Sequence, residues 1–162
     1  MGCVHKKLFC DYTDVHPKII AHNWNPNEDR YVQLKRLLSP RVSQVCVPVD
    51  LMRKLVKMAA LHDRWEVVEI SLSDVDVYSE EETELRRTIQ KTRENRGYYI
   101  TMLDQLAVLD EDSSLTVETM SIADENGNSI CVRVDGELIE TGNAAELEPA
   151  IRQVIFEYMY GT

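Results

Sequence analysis

A chain of 162 residues, 44% apolar and 28% charged, is long enough for one globular domain. Such a domain buries about 70% of the surface its unfolded chain exposes. No run approaches the ~20 apolar residues of a membrane helix and no charged-then-apolar leader is present, so neither a membrane span nor a secretory signal is expected. Cys3, Cys10, Cys46 and Cys131 are scattered without framework spacing, which points to a reducing compartment and makes cytoplasmic residence the expectation.

The net charge of −10 is unevenly spread. Residues 1–67 carry 11 Lys/Arg against 7 Asp/Glu, whereas residues 68–162 carry 7 against 21. A chain this acidic repels bare nucleic acid and anionic membrane unless a local basic patch dominates the encounter.

Residues 1–24 are the least regular in pattern and the richest in metal-ligand types: Cys3, His5, Cys10, His16 and His22 all fall there. Thiolate and imidazole are zinc's preferred ligands, so Cys3, His5, Cys10 and His16 form one candidate zinc set, with Cys46 or His62 as possible recruits. Their spacing matches no usual zinc module, and the competing reading is a strand anchored by Val4, Leu8, Phe9 and Tyr12. Met1-Gly2-Cys3 with Lys6-Lys7 also has features of an acylated start, although Lys6 stands where that pattern wants Ser or Thr.

Asn25-Pro26-Asn27-Glu28 reads as a capped helix start, continued by Tyr31, Leu34, Leu37 and Leu38 and stopped at Ser39-Pro40. Gln44–Val49 reads as a short strand at an edge or bulge, since Pro48 cannot donate to a ladder. Asp50 is expected to cap a second helix running to about Arg64, with Leu51, Leu55, Met58 and His62 on one side. These two helices carry a candidate basic patch: Arg30, Lys35, Arg36, Arg53, Lys57 and Arg64. With Tyr31 and Trp65 nearby, such a patch suits contact with nucleic-acid phosphates. It suits equally an encounter with the acidic half of the same molecule.

Glu66–Tyr78 is rich in β-branched residues and reads as a strand, with Val68, Ile70 and Leu72 on one face and a bulge expected near Ser73-Asp74. Asp74 and Asp76 then share a side close to Glu80, Glu81 and Glu82. Clustered carboxylates at a strand end suit a metal-dependent hydrolase, but no phosphate-cradling glycine loop accompanies them.

Ser79-Glu80-Glu81-Glu82 is a second capping box and opens the most polar helix of the chain. Its glutamates precede Arg86, Arg87, Lys91, Arg93 and Arg96, an order that complements the helix dipole. Leu85, Thr88, Ile89 and Thr92 form its thin apolar stripe, so most of its circumference is left for water or a partner. Gly97 is expected to end it. Tyr99, Met102, Leu103, Leu106 and Leu109 then stand at helical spacing, with a strand at Tyr98–Leu103 as the alternative.

Residues 115–141 alternate with period two around Asn126-Gly127 and Asp135-Gly136, dipeptides that supply the positive φ of tight turns. The expectation is a three-stranded antiparallel meander with Ile130, Val132 and Val134 facing the core and Cys131 and Arg133 turned away. Pro149 fits the first turn of a last helix whose stripe is Ile151, Val154, Ile155 and Tyr158. The fold class is therefore α+β, a single domain with a mixed helix/strand N-terminal half.

No Gly-x-Ser-x-Gly elbow, His-Glu-x-x-His, P-loop or dinucleotide fingerprint occurs. The reading that uses the charge imbalance is a small acidic interaction or regulatory protein, inhibitor- or immunity-like, that binds a basic protein partner through Glu80, Glu81, Glu82 and Glu84. Two alternatives accompany it: a zinc protein with nucleic-acid contacts, and a hydrolase built on Asp74 and Asp76.

Overall fold

The computed structural model describes residues 2–73, 80–111 and 116–161, and within them the alternating segments assemble one antiparallel sheet. The meander is its heart: β5 (Thr116–Asp124), β6 (Ser129–Arg133) and β7 (Glu137–Thr141) pair in sequence. The Asp124 carboxylate accepts the Asn126 and Asn128 backbone N–H groups at 2.8 and 3.0 Å, and the Asn128 side-chain amide at 2.9 Å. Gly127 and Gly136 supply φ of 82° and 86°. Ile130 and Val132 are fully buried, Val134 packs partly buried against the same core, and Cys131 faces the other way.

Residues 1–24, the least regular in pattern, form a hairpin: β1 (Cys3–Asp11), the strand that Val4, Leu8 and Phe9 allowed, and β2 (Lys18–Asn23). β1 joins the meander by pairing Cys3–Lys7 with β7, and past the end of β7 the same edge of β1 takes the three-residue β3 (Val42–Gln44). The chain then crosses the β6–β7 turn. Val45 N–H donates to Leu8 O at 3.2 Å, Val47 N–H donates to Val134 O at 2.9 Å, and Gly136 lies so close that a Cβ there would stand 2.3 Å from Val45 O. β4 (Trp65–Ser73) pairs with β5 and closes the order β2-β1-β7-β6-β5-β4.

Four helices lie on one face of the sheet: α2 (Val49–Leu61), α3 (Glu80–Glu94), α4 (Tyr99–Glu111) and α5 (Leu147–Tyr160). Leu8, Met120, Ile122, Ile130, Val132 and Leu138 meet Leu51, Leu55, Met102, Leu106, Ile151 and Ile155 in the core between them. Fully burying one such side chain contributes about 1.5–3 kcal/mol. Residues on the opposite parity of β1, Lys7 and Phe9, are buried outside that core, as is Leu34 of α1 (Arg30–Leu37).

Several boundaries differ from the sequence reading, each for a local reason. α1 starts at Arg30 with Asp29 as its cap, because Asn25 closes a turn of its own: its side chain accepts the Asn27 N–H, and Gln33 bonds both its N–H and its carbonyl. Asn at a cap and Asn in a turn use the same acceptor, so the residue alone does not separate them. α2 starts at Val49 and ends at Leu61; Asp50 accepts the Tyr158 hydroxyl at 2.6 Å rather than capping. In β4 the core residue is Val67 and not Val68, because the bulges fall between Val67 and Glu69 and between Ser71 and Leu72. The Val67 N–H is satisfied by the Tyr99 hydroxyl at 3.0 Å. The bulge expected at Ser73-Asp74, the cap Ser79 and the strand start Leu115 touch residues outside those described.

α3 ends at Glu94, before Gly97. A short 3-10 turn (Arg96–Tyr98) follows, and there the Arg96 guanidinium donates to the carbonyls of Ala59, Ala60, His62 and Trp65, capping the end of α2. α4 is a helix, as the spacing of Tyr99, Met102, Leu106 and Leu109 requires. Among the described residues, no helix is long and apolar enough to cross a membrane.

Candidate functional site

α3 docks on β4 and α4 through Leu85, Thr88, Ile89 and Thr92, the four positions its periodicity singles out. The threonine hydroxyls bond back to carbonyls of their own helix, Thr88 to Glu84 at 3.0 Å and Thr92 to Ile89 at 2.6 Å, so both hydroxyls of this stripe are satisfied. At about 100° per residue this stripe separates two flanks. Glu80, Glu81 and Glu84 lie on one; Glu82, Arg86, Gln90 and Arg93 lie on the other.

The acidic flank borders a groove of about 410 Å³ between α3 and α4, lined by Glu80, Glu81, Glu84, Leu85, Gln105, Val108 and Leu109. Its floor is apolar: Val108 is 64% exposed on the α4 side. The buried Oε1 of Gln105 has no hydrogen-bond partner among the described residues. Glutamates in a first helical turn suit the positive end of the helix dipole. Glu84 pairs with Arg87 at 2.9 Å and Glu82 with Arg86 at 3.5 Å; both contacts are on the surface. Such a groove can seat an apolar ridge bordered by cations.

The six basic candidates do not gather on one surface. Arg30, Lys35 and Arg36 are on α1, and Arg30 lies near enough to Lys7 to act on its ionisation. That puts α1 on the side of the sheet away from α2, where Arg53 and Lys57 are found. Arg36 is bound to Glu28 at 2.6 Å and Arg64 faces Glu125 at 3.7 Å. Lys57 borders a separate cleft of about 400 Å³ with Lys54, Leu61 and Tyr158.

The Cys/His candidates are likewise apart. Cys3 and Cys10 stand seven residues apart on one strand, roughly 23 Å at strand rise, and point to opposite faces. Cys10 is buried against Met159, with sulfur to sulfur at 3.6 Å, and His16 lies in the exposed β1–β2 connection. His5 contacts Glu137 through Nδ1 at 3.0 Å. Among the described residues no group of three or more His, Cys, Asp or Glu is arranged to hold a metal ion. Asp74 and Asp76 lie outside the described residues.

The sheet face turned away from the four helices carries a polar network that the sequence reading did not single out. Glu137 lies between His5 and Arg133, and Arg133 also approaches Glu118 at 3.4 Å and Asp135 at 3.9 Å. Only the pairing of β1 with β7 brings His5 to Glu137, and no local pattern encodes that partner. Beside them burial pushes the Cys131 thiol up from its usual range despite hydrogen bonds from Ser121 and Thr119, so it is held as a neutral thiol rather than a nucleophilic thiolate. Lys7 is pushed down by burial while its ammonium donates to the Asp135 carbonyl at 2.7 Å, a clamp on the β6–β7 turn.

No protein-family model, curated protein or solved structure matches this chain.

Proposed function

We propose that this protein is a small regulatory binding module, inhibitor- or immunity-like in character, whose acidic flank of α3 receives a basic partner protein. The observation that carries the reading is the groove between α3 and α4. Its apolar floor of Leu85, Val108 and Leu109 is edged by Glu80, Glu81 and Glu84. A basic amphipathic helix is the shape and charge such a groove accommodates: apolar anchors descend to the floor while lysines or arginines meet the rim. The −14 charge of residues 68–162 steers the same partner toward the module from a distance. Perturbed groups elsewhere serve the fold: Lys7 clamps a turn, Tyr158 bonds Asp50, and the Cys131 thiol stays neutral.

The test uses a helical peptide of leucine and lysine as probe. Its affinity for the wild-type protein falls as ionic strength rises, and it weakens by about tenfold or more in the Glu80→Gln/Glu81→Gln/Glu84→Gln variant. Equal affinity for wild type and variant, or binding indifferent to salt, refutes the reading.

A further inference from the structure

α1 buries little and exposes what most helices hide. At about 100° per residue Gln33, Leu34 and Leu37 turn toward the sheet, and Tyr31, Val32, Lys35 and Arg36 turn away from it. Tyr31 is 80% exposed and Val32 51% exposed, an aromatic and a branched side chain side by side in water. The helix beneath them is firmly held: Asp29 caps it, Gln33 bonds the Asn25 backbone twice, and Glu28 binds Arg36 at 2.6 Å. A helix ordered in advance loses little further freedom when it docks. Residues 30–41 contain Arg30, Lys35, Arg36 and Arg41 and no Asp or Glu, in a chain of net charge −10.

The groove between α3 and α4 has the opposite chemistry. Its lining holds three carboxylates and no cationic side chain, over a floor of Leu85, Val108 and Leu109. Glu84 shares its carboxylate with Arg87 on the surface, and that cation stands outside the groove. On α1, Lys35 is exposed and pairs with no carboxylate among the described residues. The helix thus offers the apolar pair and the cation that the groove lacks. It cannot offer them to its own molecule, because α1 packs on the face of the sheet that carries Lys7 and Phe9, and α3 and α4 pack on the other. The match is one between molecules.

We propose that the groove receives a second copy of this chain, whose α1 lays Tyr31 and Val32 on the apolar floor and aims Lys35 at the rim of Glu80, Glu81 and Glu84. The inference rests on the reading of the groove as a basic-helix site and names the helix. The two surfaces differ, so the contact is head-to-tail, and copies add in chains or rings rather than as a two-fold pair. The apolar anchors supply affinity, while the charges steer and orient the approach. A basic helix from another protein then competes with α1, and the site stays covered until such a helix displaces it.

Sedimentation velocity of the full chain tests it. At about 50 mM salt the wild-type weight-average mass is expected to rise with concentration above the monomer, and to return to it at about 500 mM. Tyr31→Ser/Lys35→Glu stays monomeric because its helix no longer docks, and Glu80→Gln/Glu81→Gln/Glu84→Gln because its groove no longer receives. All five substituted side chains are exposed, so both variants keep the fold. Mixed in equal amounts, the two variants form a one-to-one complex and nothing larger, since one working helix and one working groove remain. The inference is overturned if wild type is monomeric at every concentration, if Tyr31→Ser/Lys35→Glu assembles like wild type, or if the mixed variants do not combine. The leucine/lysine helix separates this failure from that of the function proposed above. It binds Tyr31→Ser/Lys35→Glu undiminished where the groove receives basic helices, and if it does so while wild type stays monomeric, only the present inference falls.

Discussion

α3 and α5 lie on the same face of the same sheet, yet they are held there differently. α5 buries Leu147, Ile151 and Ile155 at 0–1% exposure, and two side-chain contacts secure its end: the Tyr158 hydroxyl to Asp50, and Met159 against the Cys10 thiol. α3 commits two aliphatic residues and two threonines, and clefts run along both sides of that stripe. The contrast separates a helix that completes a core from one that the core merely holds in place. A lightly docked helix leaves its flanks uncovered, and in α3 one flank carries Glu80, Glu81 and Glu84 while the other mixes Glu82 with Arg86 and Arg93.

The difference is measurable, beginning with the largest effect. Ile155→Ala leaves a closed cavity and is expected to cost about 2–5 kcal/mol in denaturant unfolding. Ile89→Ala opens into the β4 cleft, where water can enter, and is expected near the low end, about 2 kcal/mol. Comparable losses would mean that α3 is as deeply seated as α5.

Removing the tether of α5 by Tyr158→Phe is expected to cost about 1 kcal/mol, a value discounted for its partial exposure. The hydrogen bond to Asp50, followed by burial, pushes the Tyr158 hydroxyl up to about 12. A raised pKa means that this contribution is fully present below the unfolded value near 10 and is lost as pH rises through about 12. Wild type and Tyr158→Phe should therefore converge in stability across that window, and a constant gap would contradict the bond. Smaller still, Thr88→Val exchanges a hydroxyl already satisfied within its own helix and should change stability by less than about 1 kcal/mol. Glu80→Gln/Glu81→Gln/Glu84→Gln should leave unfolding within about 0.5 kcal/mol per site, since all three side chains are exposed.

How far these features could be read from residues alone depends on how local their causes are. The stripe of α3, that of α5 and the alternation of β6 follow from periodicity, and the structure contains each of them. β4 is ambiguous because Val67 and Val68 are both branched, so their sequence does not reveal which one the bulge turns outward. A strand through Val4, Leu8 and Phe9 is legible at the N-terminus, but its place beside β7 is not, because that partner lies more than a hundred residues away. Of the site, the glutamates of α3 were legible as a charge cluster. The groove was not, since its floor comes from α4, and a cleft between elements has no signature in either one.

The central claim is that the acidic flank of α3 is the surface a basic partner meets. Its most direct test is amide chemical-shift mapping of the protein titrated with the leucine/lysine helix. The account predicts perturbations concentrated at residues 80–85 of α3 and 105–109 of α4. Shifts centred on the open sheet face around Arg133, or spread evenly over every acidic surface, would contradict it.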